Sequence, residues 1–456
     1  MRLGEWLLIL FGIGILAATA KYWWPFNRVA QIVSRHVGVK ANTLSTLSRP
    51  FAAIDLPNIE RALRELAPSG RRFAAAGTFM SFHSEDLGSL LTGNARVAGV
   101  RTESIETGPG EAMACMVNGL LLVTVPGRAV VYVRREEMLN KLEVQVAARD
   151  AMLAETILTR IADACGKSSV YKGRIISLNC DQVARRGPSC LSLQFHPPTG
   201  IGADDLILPP ATLNLIEKNT VGFFRTLDRM RTTGRSVKRG LLLYGRPGTG
   251  KTMTAKWIAS AVPDLTTLFL SADQLFLIKD CCQMARMLAP AMVVLEDVDL
   301  VARDRGQEEN MLSRITLNQL LNEMDGIGDN SGVFFLLTTN RAEELEHALA
   351  ARPGRVDQAI EYPLPDADCR RRLFEKYLTG LRTENLDLDD LVARTDGAPP
   401  AFIQELVRKA LSLALFEDGE APLRQDHFRG ALQELLFTGG DLTRKLLGFT
   451  EEQLEK

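Results

Sequence analysis

Apolar and polar positions change texture several times along the chain. Residues Trp6 to Ala20, WLLILFGIGILAATA, carry no charge and are followed by Lys21, Tyr22, Trp23 and Trp24. Such a run, extended by aromatic residues at headgroup level, predicts one membrane-spanning helix, although a span usually takes about 20 residues. A cleaved leader ending near Ala18-Thr19-Ala20 and a buried core helix are the alternatives. Val29, Ile32, Val33 and His36 then recur at helical spacing, and a Ser/Thr-rich break precedes Pro50. AVVYVRR (129–135), LEVQVAARD (142–150) and YKGRIISLNC (171–180) alternate like half-buried strands, whereas RDAMLAETILTRIADA (149–164) reads as an amphipathic helix ended by Gly166. This is an α+β pattern. After HPPTGIGADDLILPP (196–210), apolar strands alternate with helices as far as Pro363, the signature of a parallel α/β sheet, and a helical stretch over 367–437 follows.

Composition changes this picture in only a few places. The 456 residues are 46% hydrophobic and 24% charged, enough for a sizeable core and two or three domains. The 54 Lys plus Arg balance 55 Asp plus Glu, so no basic field attracts nucleic acid, and none is expected as a partner. Seven cysteines without a CxxC pair give neither a disulfide framework nor a zinc site, and predict reduced thiols in a reducing compartment. Lys21, Arg28, Arg35 and Lys40 follow the apolar run, against Arg2 and Glu5 before it; the excess places the bulk of the chain on the cytoplasmic side or its equivalent. His83 and His196 lack metal-ligand spacing, and the absence of HExxH argues against a membrane zinc protease.

Chemistry enters at GLLLYGRPGTGKTMTAKWIASAV (240–262). A strand over 241–244 runs into GxxxxGKT at 245–252 and then into a helix. Gly245, Gly248 and Gly250 let backbone N–H groups converge on phosphates at a helix N-terminus, Lys251 reaches the β and γ phosphates, and Thr252 offers its hydroxyl to Mg²⁺. Arg246, Pro247, Thr249 and Met253 complete the expected ATP contacts. A second signal is MVVLEDVDLVARD (292–304), an apolar strand closing on Glu296 and Asp297 with Asp299 two places on. A parallel sheet sets such a strand end beside the phosphate loop. Adjacent carboxylates repel in a low-dielectric cleft unless a cation compensates them, which Mg²⁺ does. Glu296 is then the metal-holding acid, Asp297 the group that polarises the attacking water, and Asp299 a support for the neighbouring loop or a subunit contact.

GxxxxGKT, VVLEDVD, LLTTN and RPGR in this order resemble the AAA+ ATPase module of the AAA clade over about residues 205–440. Most of that clade reads Asp then Glu at the second motif. The reversed order here, with the apolar N-terminus and the stretch SVYKGRIISL, is similar to BCS1-type membrane-anchored proteins and their bacterial relatives. The resemblance implies a P-loop α/β module with a helical lid, preceded by a small α+β domain and one transmembrane helix. The corresponding boundaries are an anchor at 1–24, a juxtamembrane and middle domain at 25–205, a large ATPase subdomain at 206–364, a lid at 365–440 and a tail at 441–456. It also implies that Asn340 orients water, that Arg352 and Arg355 reach a neighbour's γ-phosphate, and that Gly397 and Ala401 lie near the adenine. Sharing of the site between subunits implies a homo-oligomeric ring of about six or seven copies. The implied activity is hydrolysis of Mg·ATP to remodel, assemble or translocate a protein client at the membrane; an ATP-gated scaffold with little turnover is the alternative. Between the motifs, 271–290 lacks the clade's aromatic–apolar–glycine loop, and Phe276 and Leu277 are expected in the core, which leaves threading of an extended chain in doubt.

Overall fold

The computed structural model describes residues 27–76, 86–93, 95–136, 141–167, 169–180, 191–234, 237, 239–299, 319–324, 326, 331–341, 356–417 and 422–435. The expected anchor at 1–24 and tail at 441–456 lie outside them, and no helix among the described residues is long and apolar enough to cross a membrane. The described residues up to Tyr171 form one compact unit; Lys172–Asn179 and those from Leu193 onward form another.

In the first unit, α1 (Arg28–Val37) starts at Asn27, whose side chain accepts from the Ala30 N–H. It does not continue through the Ser/Thr-rich break. Residues there form β1 (Ser45–Phe51), because every second side chain is half-buried and the strand pairs antiparallel with a partner ending at Ala148. In chain order follow α2 (Leu56–Leu66), β2 (Arg72–Ala76), α3 (Leu87–Thr92), β3 (Arg96–Ala98), the hairpin β4 (Arg101–Gly108) and β5 (Glu111–Val117), β6 (Gly119–Val123), β7 (Ala129–Glu136), β8 (Lys141–Ala148) and α4 (Ala151–Lys167). Six of these strands make an antiparallel sheet in the order β1-β8-β7-β6-β2-β3. Leu121, Val123, Val131 and Val133 face α2 and α4, while Leu120, Leu122, Val130 and Tyr132 face α1 and α3. The central strands are therefore buried on both faces rather than half-buried, since helices cover each side.

Glu60 of α2 is 1% exposed. Its carboxylate accepts from Arg64 at 2.7 Å, Arg72 at 2.6 Å and the Met116 N–H at 3.2 Å.

The second unit is built on β9 (Ile175–Cys180), β10 (Leu191–His196), β11 (Arg239–Gly245), β12 (Thr266–Ser271), β13 (Ala291–Glu296), β14 (Val333–Thr339) and β15 (Gln358–Tyr362), ordered β10-β9-β12-β13-β14-β11-β15. Pairing from β9 across to β15 is parallel. The strand read at 171–180 thus leaves the middle domain to which the sequence assigned it: Ile175 pairs with Thr267, and Ile176 and Leu178 are fully buried. The parallel sheet of the second unit begins before the boundary expected at 205/206. Helices α5 (Pro210–Asn219), α6 (Val221–Thr232), α7 (Lys251–Ala261) and α8 (Ile278–Met287) accompany this sheet, and α9 (Ala367–Leu378), α10 (Leu388–Arg394), α11 (Pro400–Glu417) and α12 (Gln425–Gln433) form a helical lid with its own core. A short strap joins the two cores: Leu206 and Leu208 are buried with the sheet, Ile207 with the lid, and Lys376 of α9 donates to Asp205 at 2.7 Å. Because β11, β13 and β14 are parallel neighbours, Gly245, Glu296 and Thr339 end at one edge, where an open α/β sheet binds ligands.

Removing the Glu60 carboxylate leaves the buried Met116 N–H without its acceptor and parts two guanidinium groups from their counter-charge. Glu60→Ala is expected to destabilise the first unit by about 2–4 kcal/mol, and Glu60→Gln by less, read from urea-unfolding midpoints of the full chain.

Candidate nucleotide site

The phosphate loop is shaped by its close neighbours. Gly245 closes β11 with φ +149°, and a Cβ there would lie 2.5 Å from the backbone oxygen of Tyr362. At Gly248, φ is +74° and a Cβ would come 2.6 Å from the Cβ of Ala401. The Ala401 N–H donates to the Gly248 carbonyl at 3.2 Å, so the first turn of α11 rests on the loop. Thr249 is buried and its hydroxyl donates to the Arg246 carbonyl at 2.8 Å. Pro247 is exposed, Met253 is half-buried, and Thr252 presents an exposed residue in the first turn of α7.

Three side chains form a continuous row across the strand ends. Lys251 Nζ donates to the carbonyls of Gly245 at 2.7 Å and Arg246 at 3.0 Å, and to Asn340 Oδ1 at 2.9 Å. Asn340 Nδ2 in turn donates to Asp297 Oδ1 at 2.9 Å. Asp297 has a left-handed backbone, φ +49°, and its N–H donates to Thr338 Oγ1 at 3.2 Å. Beneath the row lies Asp299, 2% exposed; its Oδ1 accepts from Thr339 Oγ1 at 2.9 Å and from the Asn340 N–H at 3.1 Å. Asp299 is therefore an internal brace for Asn340.

Glu296 Oε1 is buried with no hydrogen-bond partner among the described residues. A carboxylate oxygen left this way carries an uncompensated desolvation cost, which a cation removes. With Thr252 it makes a hard oxygen donor set, the chemistry that suits Mg²⁺ kept mostly in its water shell. The residues present fit Mg·ATP: a glycine-shaped cradle, an ammonium, and an acid with one buried oxygen that no hydrogen bond reaches among the described residues. Burial pulls the Lys251 ammonium down to about 8, against the opposing pull of Asp297 and Asp299.

Sequence expectations met the structure unevenly elsewhere. Gly397, φ +71°, stands in the turn before α11, and Ala401 touches the phosphate loop itself. Arg352 and Arg355 lie outside the described residues. Leu277 is buried as expected, but Phe276 is 47% exposed, because the tight 3-10 turn at Ala272–Leu277 turns Leu275 and Leu277 inward and leaves Phe276 out. Of the supporting residues, Thr338 and Thr339 fall inside LLTTN, which was read for Asn340 alone, and Tyr362 carries no motif.

Comparison with known proteins bears on this geometry. Residues 241–364 match the model of the family described as ATPase family associated with various cellular activities (AAA). This segment is an AAA ATPase domain. ATP with Mg²⁺ is the cofactor of the domain, and hydrolysis at a P-loop its chemistry. The chain is 33% identical over 246 residues to the ATP-dependent zinc metalloprotease FtsH of Parabacteroides distasonis, covering 51% of this chain and 35% of that one. It is 37% identical over 213 residues to the human ATPase family gene 2 protein homolog A, covering 44% and 24%. The chain thus spans about a third or less of the length of these relatives. A solved katanin structure aligns with a TM-score of 0.44 and 26% identity, over 56% of this chain and 91% of that one.

Gly248→Ala combines a strained φ with a collision against Ala401, so nucleotide affinity of the AAA domain is expected to fall at least about tenfold in a binding titration. A pH series gives a second check. Lys251 titrates near 8 in the free loop and higher once phosphate oxygens lie against it, so binding takes up a proton above pH 8. Affinity for Mg·ATP is expected to hold between pH 7 and 8 and to fall as pH rises further, toward about tenfold per pH unit.

Proposed function

We propose that the chain is a membrane-anchored AAA+ ATPase that hydrolyses Mg·ATP in a homo-oligomeric ring and uses the resulting shape change to remodel, assemble or translocate a protein partner at the membrane. The observation that carries the reading is the row Lys251–Asn340–Asp297, whose last member directly follows Glu296, the acid with a buried oxygen that no hydrogen bond reaches among the described residues. Lys251 holds phosphate, Thr252 and Glu296 hold the metal, and Asp297 orients water through a carboxylate whose position Asn340 fixes. Bound Mg²⁺ supplies charge neutralisation of the phosphate oxygens. Arg352 and Arg355 are assigned to a neighbouring copy's γ-phosphate, which makes the ring the working form.

The uncharged run from Trp6 to Ala20 supports the anchor, and the Lys and Arg residues after it support an ATPase domain in the cytoplasm or an equivalent reducing compartment. The Glu296-Asp297 order, with that run, supports a BCS1-type subfamily. Zinc peptidase chemistry is not carried over from FtsH, since the sequence contains no HExxH. Exposed Phe276 offers one apolar contact for a client. The second reading, an ATP-gated scaffold, is favoured by one observation: Asp297 is shorter than glutamate, and one of its oxygens already accepts from Asn340.

Full chain purified in detergent distinguishes the readings. Lys251→Ala is expected to abolish Mg·ATP binding. Asp297→Asn should leave affinity within about threefold and lower turnover at least about a hundredfold. A parent turnover equal to background, with binding intact, selects the scaffold; an Asp297→Asn variant as active as the parent removes Asp297 from the chemistry.

A further inference from the structure

The lid is suspended from a residue that also supports the phosphate loop. β15 ends at Tyr362, after which Pro363, Leu364 and Pro365 lead to Asp366, the cap of α9. Tyr362 is 2% exposed and stands opposite Gly245 in the β11–β15 register. Its backbone oxygen occupies the place a Gly245 side chain would need. Its hydroxyl meets Thr254 Oγ1 at 2.5 Å, inside the second turn of α7. Thr254 is fully buried and its hydroxyl also lies 3.4 Å from the Gly250 carbonyl, at the loop's other end.

We infer that Tyr362 is a positioning residue of the nucleotide site, fixing both ends of the phosphate loop to the point from which the lid hangs. With the Thr254 hydroxyl given to the Gly250 carbonyl, the Tyr362 hydroxyl is the donor to Thr254 Oγ1. Burial pushes the phenol up, so it stays a neutral donor. On the far side of the lid connection, the Ala401 N–H holds the Gly248 carbonyl. The loop is thus pinned at its ends by the residue before the lid and at its middle by a residue of the lid. Tyr362→Phe keeps the ring and the sheet pairing but releases Thr254, so the first turns of α7 lose their fixed distance from Gly245.

The inference rests on the reading that this loop binds Mg-nucleotide. The experiment measures binding of a fluorescent ADP analogue with Mg²⁺, and ATP turnover, on full-length chain carrying Tyr362→Phe, Thr254→Val, both changes, or Thr254→Ser. Each of the first two variants is expected to weaken binding about three- to tenfold, with turnover at saturating ATP within about twofold of the parent. The double variant should be no weaker than the weaker single one, because both remove the same bond, and Thr254→Ser should restore parent affinity. Parent-like affinity in Tyr362→Phe overturns the inference, as does a double variant whose loss equals the product of the single losses. If Tyr362→Phe does not fold, the comparison of Thr254→Val, close in shape to threonine, with Thr254→Ser decides: equal affinities overturn the inference. Failure of the parent chain to bind the probe instead overturns the nucleotide reading, so the two failures are distinct.

Discussion

The amide of Asn340 faces an ammonium with its oxygen and a carboxylate with its nitrogen, and the geometry of the nucleotide site depends on that double fit. An amide is a neutral group with a donor end and an acceptor end, so it can separate Lys251 from Asp297 while satisfying both. A direct ion pair would neutralise the lysine that phosphate needs and tie up the acid that water needs. The spacing survives only because Asn340 cannot turn away. Asp299 holds its N–H from below and grips Thr339 beside it, in a place nearly closed to water. Such buried polar networks strengthen one another when every member is satisfied, and the unsatisfied oxygen of Glu296 is the place where a bound cation would complete the set.

Parallel sheet order is what makes these partners meet. Lys251, Asp297 and Asn340 lie far apart in sequence, yet each follows the C-terminal end of a strand, and β13, β14 and β11 are consecutive in the sheet. Buried runs of Val, Leu and Phe form the body of β13 and β14; the polar chemistry begins with their last residues, Glu296, Thr338 and Thr339, and continues just beyond them.

Motif-bearing parts of the site were legible in the sequence because their chemistry is local. Gly245 to Thr252 needs glycines at fixed offsets, and Glu296-Asp297 is conspicuous as like charge after an apolar run. What stayed hidden depends on partners distant in sequence. Asp299 reads as a support for some neighbouring loop or a subunit contact, and only the fold shows that Thr339 and Asn340 are what it holds. The strand at 175–180 alternates like any half-buried strand, and nothing within it says that Thr267 will be its neighbour. Phe276 and Leu277 are equally apolar, so composition could not separate them; the tight turn did. Tyr362 looks like a routine strand residue, and its role depends on Thr254, more than a hundred positions earlier.

The strap at 206–208 has a mechanical consequence of its own. Successive residues of an extended segment point to opposite sides, and here one side belongs to the sheet and the other to the lid. Slippage by a single position would set Asp205 or Pro209 beside Ile207 on the sheet side and a leucine on the lid side, so the packing selects one register. One extended segment thereby serves two cores at once, and the same three residues meet any change in the packing of either.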